Sequence, residues 1–455
     1  MKQGEIAGAG MSRLERRAAL SLSGVYALRM LGLFMILPVF ALYADQLAGV
    51  TPALTGLAIG VYGITQALLQ IPAGLLSDRI GRKPVIIGGL LLFALGSVVA
   101  ALADSIYIVI LGRALQGAGA IAAAIMALTA DLTREAQRIK AMALIGMSIG
   151  LSFAAALILG PLLYEWVGVP GIFWGTALLA LGGILVVAFI VPRPRVTAIH
   201  REAEAIPAQF GRVLRNPELL RLDFGILVLH TILTASFVVL PLVLRDAIGL
   251  AAVDHWKLYL PVLAGSVLAM IPFILLAGRG GLLKPVFLGA VVVLGLAEFG
   301  LYLIFPTLAS VVVLLIVFFT AFNLLEAMLA SLVSRVAPGD CRGTAMGFYS
   351  SAQFFGAFLG GLLGGLVQGR FGLPAVFLFA ALAVVAWLVV ALPMQPPRKL
   401  SSHIYKVEVA DQAGADRLSR ELAGLAGVAE AVVIPEDGLA YLKVDKRVFN
   451  ESLLP

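Results

Sequence analysis

The hydrophobic positions of this chain form long unbroken runs and do not alternate with polar positions. Twelve runs, separated by charged, proline or turn residues, cover 20–44, 54–77, 84–103, 106–130, 138–164, 171–192, 219–244, 256–277, 284–305, 308–334, 342–368 and 373–393. Each exceeds the roughly 17 residues that a helix needs to cross the hydrocarbon core, whereas barrel strands would show a period of two. The pattern predicts an all-α membrane protein with twelve transmembrane helices. Arg29 interrupts the first run, which argues against a cleavable signal peptide.

The pattern changes after Pro393. Residues 404–409, 428–434 and 439–444 are typical of strands, 415–426 of an amphipathic helix and 435–438 of a turn, and Asp445 could cap a last short helix. This order predicts a small α+β domain of βαββα, ferredoxin-like type, joined through a proline-containing linker. A domain of about 50 residues has a small core, so we predict support from the membrane part or self-association through this domain.

The chain also repeats itself with an offset near 203. Residues 34–39 are similar to 237–242, residues 138–142 to 342–346, and residues 73–74 to 277–278. These matches predict two six-helix pseudo-repeats in the same orientation. The predicted units are a cytoplasmic segment 1–19, a bundle 20–192, a cytoplasmic linker 193–218, a bundle 219–393, a linker 394–402 and a cytoplasmic domain 403–455.

Composition and charge agree with this organisation. The chain is 61% apolar and 13% charged, against about 45–50% and 25% for soluble domains, which excludes a secreted enzyme or a disordered scaffold. The net charge of +7 divides into +10 for residues 1–400 and −3 for 401–455. Alternate loops, counted from the N-terminus, carry 22 Lys and Arg residues, and the intervening loops carry 3. By the positive-inside rule both termini are predicted to be cytoplasmic, so the basic excess does not indicate a nucleic-acid partner.

The loop after the second run has a specific pattern. It reads Gly74-Leu75-Leu76-Ser77-Asp78-Arg79-Ile80-Gly81-Arg82-Lys83-Pro84. This sequence resembles the signature loop of the major facilitator superfamily at every defining position. Gly74 would allow close helix packing, Gly81 a tight turn, and Asp78 could pair with Arg82. The resemblance implies a gate that latches against the start of span eleven, formed by Gly74, Asp78, Arg79, Gly81, Arg82, Lys83 and Asp131. The second-half counterpart, residues 278–285, lacks the aspartate, so the latch is predicted to be asymmetric.

Two further spans resemble elements of this superfamily. Residues 111–119 in span four look like its proton-coupling element and contain Arg113. Arginine within the membrane is costly and pairs with an acid or with backbone oxygen, so a structural tie is the alternative for Arg113. Span five carries Gly150, Gly160 and Pro161 of the antiporter hinge, but residues 162–165 lack its trailing glycines and the match is partial.

The remaining polar residues inside the spans are the candidates for proton coupling and substrate binding. Glu326 lies near the middle of span ten and is the predicted protonation site, coupled with Arg113 and Arg29. A permanent ion pair with Arg29 or another cation is the alternative. The predicted cavity residues are Gln66, Gln70, Gln116, His230, Asn323 and Gln353. No residue cluster has metal-site spacing and no phosphate-binding loop follows a strand, so no cofactor, metal or enzymatic activity is predicted.

The resemblance extends over nearly the full length, including the small C-terminal domain, to drug/proton antiporters of this superfamily. It implies a transporter of the bacterial inner membrane that expels small amphipathic organic solutes in exchange for protons by alternating access. Its partners would be that solute, protons and the bilayer. Two alternatives stay open. They are proton-linked uptake of a nutrient or metabolite, and a transporter-like sensor that acts through its C-terminal domain.

Overall fold

The computed structural model describes residues 10–193, 205–279, 281–304, 307–395, 401–407, 409, 411–435, 438–444 and 448–449. Its helices are α1 (Arg13–Phe34), α2 (Phe40–Tyr43), α3 (Pro52–Ile80), α4 (Arg82–Ala101), α5 (Ile106–Ala118), α6 (Ala122–Leu132), α7 (Glu135–Leu185), α8 (Phe210–Leu214), α9 (Pro217–Leu242), α10 (His255–Ala277), α11 (Leu283–Leu303), α12 (Leu308–Val336), α13 (Arg342–Phe371), α14 (Leu373–Ala391) and α15 (Gln412–Ala423). Its strands are β1 (Ser401–Lys406), β2 (Val428–Ile434) and β3 (Leu439–Val444). Much of the predicted linkers (194–204 and 396–400), part of the predicted turn (436–437) and the predicted cap at Asp445 lie outside the described residues.

Twelve membrane passes follow from these helices. Ten helical stretches are long and apolar enough to cross a membrane. One of them, α7, has 51 residues and is interrupted at Gly168, whose φ is 65°, so it supplies spans five and six. The helices α5 and α6 together form span four, and α1 supplies span one. Within the described residues, the predicted all-α membrane fold is confirmed.

Polar caps fix where several spans begin. The Ser12 hydroxyl accepts a hydrogen bond from the Glu15 backbone N–H at 3.2 Å, and the Glu15 carboxylate accepts one from the Ser12 N–H at 2.8 Å. The Thr51 hydroxyl caps α3 by accepting a hydrogen bond from the Leu54 N–H at 3.2 Å, with Pro52 at the first helical position. Because the N–H groups of a first helical turn have no partner inside the helix, these side chains define the helix starts.

Glycines join the two bundles on the side of the membrane where Pro52 lies, which we call the outer side. A Cβ atom on Gly56 would lie 2.1 Å from the carbonyl oxygen of Gly361, and one on Gly365 would lie 2.4 Å from that of Pro52. Such distances mean that the α3 and α13 backbones touch, as small residues allow in membrane helices. The outer ends of the two bundles are therefore closed against each other.

The inner half of span five has different surroundings. A Cβ atom on Gly146 or Gly150 would meet nothing within 4 Å, and Met147 and Leu151 are 65% and 73% exposed. This face of α7 is uncovered on the inner side, whereas a Cβ atom on Gly160, in the outer half of the same span, would lie 2.7 Å from the Met35 carbonyl oxygen. The contrast indicates a molecule that is closed outside and open inside.

An aromatic layer separates the two sides at mid-membrane. The Phe153 ring of α7 lies 6.3 Å from the Phe237 ring of α9 and 6.2 Å from the Phe319 ring of α12, measured between centroids. These separations are within the range of favourable aromatic contacts. Because α9 and α12 belong to the second bundle, the layer closes the space between the bundles.

The C-terminal unit is a three-stranded antiparallel sheet with the order β1-β3-β2, and α15 packs against it. Leu442 and Ala440 of β3 form its core with Leu422 and Ala415 of α15. Asp411 caps α15 by accepting a hydrogen bond from the Gly414 N–H at 2.7 Å. The predicted small α+β domain is confirmed as a βαββ arrangement, consistent with a ferredoxin-like fold.

Candidate functional site

A charge cluster lies at the inner end of the first bundle. Arg82 Nη1 donates to Asp78 Oδ1 and, at 2.9 Å, to Ser77 Oγ. Arg82 Nε lies 3.4 Å from Asp131 Oδ2, and the Asp131 side chain is fully buried. The two carboxylates from α3 and α6 thus hold one arginine at the start of α4. This arrangement brings together three of the five charged residues that the sequence predicts as a gate.

The other loop residues have separate roles in the geometry. Gly81 has a φ of 97°, which places it in the left-handed region and lets the chain turn directly from α3 into α4. A Cβ atom on Gly74 would lie 3.0 Å from the Ala123 Cβ. Lys83 Nζ donates to the Val191 carbonyl at 2.6 Å, and Arg79 is exposed. The roles of these residues in gating remain predictions.

The start of α13, where the family resemblance implies a latch, has different partners in this conformation. Thr344 Oγ1 donates to Gln209 Oε1 at 2.8 Å and accepts a hydrogen bond from the Ile206 N–H at 2.9 Å. Arg212 Nη1 lies 2.9 Å from Asp340 Oδ2. The linker around α8 therefore holds this helix start while Asp78 bonds to Arg82.

Span four is broken, and Arg29 satisfies the break. The helix α5 ends at Ala118 and α6 begins at Ala122, which frees backbone carbonyls. Arg29 Nη2 donates to the Gly119 carbonyl at 3.0 Å and to Gln66 Oε1 at 2.6 Å. The Gln66 amide in turn donates to Gln70 Oε1 at 2.5 Å. Backbone groups inside a membrane require such partners, so the geometry favours a structural role for Arg29.

Arg113 bridges α5 to α3. Its Nε and Nη2 atoms lie 3.3 and 3.4 Å from the carbonyls of Ala58 and Ile59, and Nη1 donates to Gln116 Oε1 at 2.7 Å. The Gln116 amide donates to Ser97 Oγ at 2.7 Å. Arg113 is 2% exposed, and its bonds to backbone oxygen match the structural alternative stated for it.

The two buried arginines share one aromatic neighbour. The Cζ atoms of Arg29 and Arg113 lie 5.6 and 5.3 Å from the Tyr62 ring centroid, within cation–π range. Among the described residues, neither arginine contacts a carboxylate, so the alternative ion pair between Arg29 and Glu326 is not formed. Gln66 and Gln116 have no exposed surface and hold the arginines. This geometry does not favour them as cavity-lining residues.

Glu326 belongs to a second cluster, in the other bundle. The Gln353 amide donates to Glu326 Oε1 at 3.1 Å, and the same nitrogen lies 2.9 Å from His230 Nε2. His230 Nε2 is 3.9 Å from Glu326 Oε2, which has no hydrogen-bond partner. Two predicted site residues, His230 of α9 and Gln353 of α13, therefore converge on the carboxylate of Glu326 on α12, whose side chain is 37% exposed.

The hydrogen bonds of His230 assign its tautomer. Its Nδ1 lies 3.3 Å from the Ile226 carbonyl, and because a carbonyl only accepts, Nδ1 carries the proton. Nε2 is then the acceptor for Gln353 in the neutral ring. A proton added at Nε2 would lie next to Glu326. The cluster lies seven residues, or about 10 Å, to the inner side of the Phe237 and Phe319 layer, so we infer that its exposed surface faces the inner opening.

The remaining predicted residues are more dispersed. Asn323 Nδ2 lies 3.4 Å from Ser266 Oγ of α10, one turn from Glu326 on α12. A Cβ atom on Gly160, which precedes Pro161, would lie 2.7 Å from the Met35 carbonyl, so this part of the predicted hinge packs on the chain that follows α1. Gly150 faces open space. Whether these positions act as cavity and hinge residues stays a prediction.

Two buried acids were not assigned a site from the sequence. Glu298 is fully buried, and its Oε1 accepts a hydrogen bond from Ser236 Oγ at 2.7 Å. Asp223 Oδ1 is buried without a hydrogen-bond partner. Tyr349 of α13 is within electrostatic reach of both Asp223 and Glu326. An acid seven residues before His230 on α9 lies on the same helix face, which is the signal that could have pointed to Asp223.

Comparison with known proteins identifies the family. The family model described as Major Facilitator Superfamily matches residues 22–322 and 256–410. The chain belongs to this superfamily. Inner membrane transport protein YajR of Escherichia coli K12 is 47% identical over 437 residues, which cover 96% of each chain. Multidrug resistance protein MdtH of Aeromonas hydrophila is 28% identical and covers 70% of this chain and 79% of its own.

Solved structures support the superfamily fold. A bacterial homologue of the human lysosomal transporter Spinster, in an inward-facing and occupied conformation, has a TM-score of 0.68 at 14% identity, covering 84% of this chain and 97% of that chain. The human organic anion transporter MFSD10 has a TM-score of 0.61 at 20% identity, covering 84% and 100%. Together with the family match and the 47% identity to YajR, the fold shows that the chain is a multi-pass membrane transporter of this superfamily and not an enzyme.

Proposed function

We propose that the protein is a proton-coupled antiporter of the bacterial inner membrane that expels small amphipathic organic solutes. The single observation that carries this proposal is the cluster of Glu326, Gln353 and His230, a protonatable carboxylate that is partly exposed inside a membrane bundle. Ionisable residues at such depth are rare outside ion pathways and substrate sites. Both termini are proposed to be cytoplasmic, so the inner opening faces the cytoplasm.

In this mechanism proton and substrate compete for one carboxylate. Charged Glu326 favours an incoming solute with a positive or polar group, and Gln353 keeps the carboxylate oriented by its hydrogen bond at 3.1 Å. Protonation removes that charge, so the solute leaves on the outer side. The empty transporter then returns to the inward-open state with a neutral carboxyl, which costs less than a charged one in the low-dielectric centre of the molecule. His230, 3.9 Å from the carboxylate, would pass or share the proton.

The first bundle would act as the rigid and gating half. Arg29 and Arg113 tie α1, α3 and the broken span four into one unit, so a movement of α3 is transmitted to α5 and α6. The cluster of Asp78, Arg82 and Asp131 would act as the gate, with Asp78 changing partners toward the start of α13 when the inner side closes. In the present conformation the linker holds that helix start.

The class of solute follows from what surrounds the carboxylate. The aromatic layer offers apolar surface on the outer side, and Asn323, Gln353 and His230 offer hydrogen-bonding groups beside Glu326. A cavity with both kinds of surface fits amphipathic organic molecules. The weaker similarity to a protein named for multidrug resistance supports the same class.

Internal pH of proteoliposomes tests this proposal. Under an imposed proton gradient, a panel of amphipathic compounds is added and pH is followed with a trapped dye. We expect some compounds to drive proton movement opposite to their own. Glu326→Gln should abolish this movement, whereas Glu165→Gln, an exposed acid at the outer end, serves as the matched control and should retain it.

The rival functions predict different results in the same assay. Movement of protons and compound in the same direction would indicate nutrient uptake. No proton movement with any compound, together with unchanged behaviour of Glu326→Gln, would contradict transport coupled at Glu326 and favour a sensor.

A further inference from the structure

We propose that a basic pocket at the inner end of the first bundle binds the headgroup of an anionic phospholipid. The pocket encloses about 500 Å³. The lining residues that matter here are Arg13, Arg17, Lys83, Phe189, Ile190 and Arg193. This site is separate from the Glu326 cluster, and it depends on the proposed orientation of the chain but not on proton coupling.

Four basic side chains converge on this pocket from three separate parts of the chain. Arg13 and Arg17 lie one turn apart on the same face of α1. Lys83 lies in the first turn of α4. Its hydrogen bond to the Val191 carbonyl joins α4 to the end of span six, and Arg193 lies two residues after Val191. Among the described residues, no acidic side chain pairs with Arg13, Arg17 or Arg193. Like charges held together without acids favour a bound anion, and phosphate groups are well matched to arginine.

The rim of the pocket favours a lipid over a soluble anion. Span six ends in a π-helical turn, Val186–Ile190, a local distortion that is often found at functional sites. Phe189 and Ile190 are 77% and 44% exposed on this turn, and Leu14 of α1 is 53% exposed. A small soluble anion would leave these apolar side chains uncovered, whereas the acyl chains of a phospholipid would contact them.

The position of the pocket links it to the gate. Lys83 directly follows Arg82, which holds Asp78 and Asp131. A lipid headgroup bound to Lys83 and to the two arginines of α1 would therefore join α1, α4 and span six next to the charge cluster. Transport is then expected to depend on the anionic lipid content of the membrane.

Native mass spectrometry of the full chain in neutral detergent tests this proposal. The parent is titrated with cardiolipin, phosphatidylglycerol and phosphatidylethanolamine, and retained lipids are counted. We expect the triple variant Arg13→Gln, Arg17→Gln and Arg193→Gln to lose about 100-fold in affinity for cardiolipin, since each basic residue near an anionic group contributes roughly a factor of five. The matched control removes three charges at the inner end of the second bundle, Arg215→Gln, Arg279→Gln and Lys284→Gln, and should keep the parent affinity.

Further arms separate the remaining outcomes. Arg193→Gln alone should lose roughly fivefold in affinity by the same reasoning, which gives a reading even if the triple variant folds poorly. Inorganic phosphate in excess should leave cardiolipin bound, because phosphate has no acyl chain that could pack on Phe189. Equal affinity of the triple variant and the parent would overturn the proposal. Displacement of cardiolipin by phosphate, or equally strong retention of phosphatidylethanolamine, would overturn the assignment to an anionic lipid.

Discussion

Substitution of Gly56 by alanine should shift the molecule away from the conformation described here. In this state a Cβ atom on Gly56 would lie 2.1 Å from the Gly361 carbonyl oxygen and 2.9 Å from the Gly365 Cα, whereas ordinary contacts begin at 3.4 Å. The outer ends of α3 and α13 would have to separate by more than 1 Å to accept the methyl group. Such overpacking costs about 1–3 kcal/mol, which corresponds to a change of roughly 5- to 150-fold in the ratio of the two conformations.

Cysteine accessibility can measure this shift in a Cys341→Ala background. Ala41→Cys reports on the outer side, because Ala41 is buried against Leu242 of the other bundle. Met147→Cys reports on the inner side, where Met147 is 65% exposed. With Gly56→Ala we expect faster maleimide labelling at 41 and slower labelling at 147.

A matched glycine controls for the substitution itself. Gly88→Ala places its Cβ where nothing lies within 4 Å, so labelling at both reporter positions should equal that of the parent. Faster labelling at both positions with Gly56→Ala would indicate loosened structure and not a change of state. Parent-like labelling at both positions would refute the reasoning that α3 and α13 close the outer side.

Three other predictions follow from separate contacts. Arg134 donates to both carboxylate oxygens of Glu15 and holds the pKa of that carboxyl well below its ordinary 4.5. The stabilisation is therefore full at neutral pH, begins to fall below pH 4.5 and is lost as pH falls through the lowered pKa. Glu15→Gln should lower thermal stability at pH 7 by about 2 kcal/mol, and this difference should shrink as pH falls below 4.5. Arg29→Gln leaves the Gly119 carbonyl without its charged donor and should lower the thermal midpoint in detergent, at a cost of about 1.5–3 kcal/mol; an unchanged midpoint with lost transport would instead assign Arg29 to coupling. Deletion of 401–455 should preserve compound-driven proton movement, and its loss in a well-folded truncated protein would show that the C-terminal domain is required for transport.

Much of the fold could be predicted from the sequence, because only helices and closed barrels can span a membrane. Runs of about twenty apolar residues must form helices to satisfy their backbone groups. The strands 428–434 and 439–444 were predicted at the observed bounds, since β-branched residues flank a clear turn. The helix predicted at 415–426 is observed at Gln412–Ala423, because Asp411 caps it earlier than the leucine pattern indicates.

The charge cluster could be predicted for a local reason. Asp78 and Arg82 are four residues apart at a helix junction marked by Gly81, so their pairing depends on short-range geometry. Asp131 joins them because span four ends on the same side of the membrane as span two. Topology and local spacing together were sufficient here.

The partners of the buried arginines could not be predicted in the same way. An ion pair of Arg29 with Glu326 is the alternative that the sequence leaves open, but Arg29 bonds to Gly119, at a helix break that the apolar pattern of span four does not reveal. That contact depends on how α1 rotates against α5 and α6, and helix periodicity carries no information on the relative rotation of distant helices. The meeting of Gln353 with His230 and the bond between Ser236 and Glu298 depend on the same kind of packing.

Proton release on binding is the measurement that tests the proposed exchange most directly. Purified protein in weakly buffered detergent solution is mixed with a compound identified in the proteoliposome assay, and a pH indicator records released protons. At a pH low enough for the free site to carry its proton, competition at Glu326 predicts up to one proton released per bound compound in the parent and in Glu165→Gln, and none in Glu326→Gln. Binding without proton release in the parent, or the same release from Glu326→Gln, would contradict the proposed exchange.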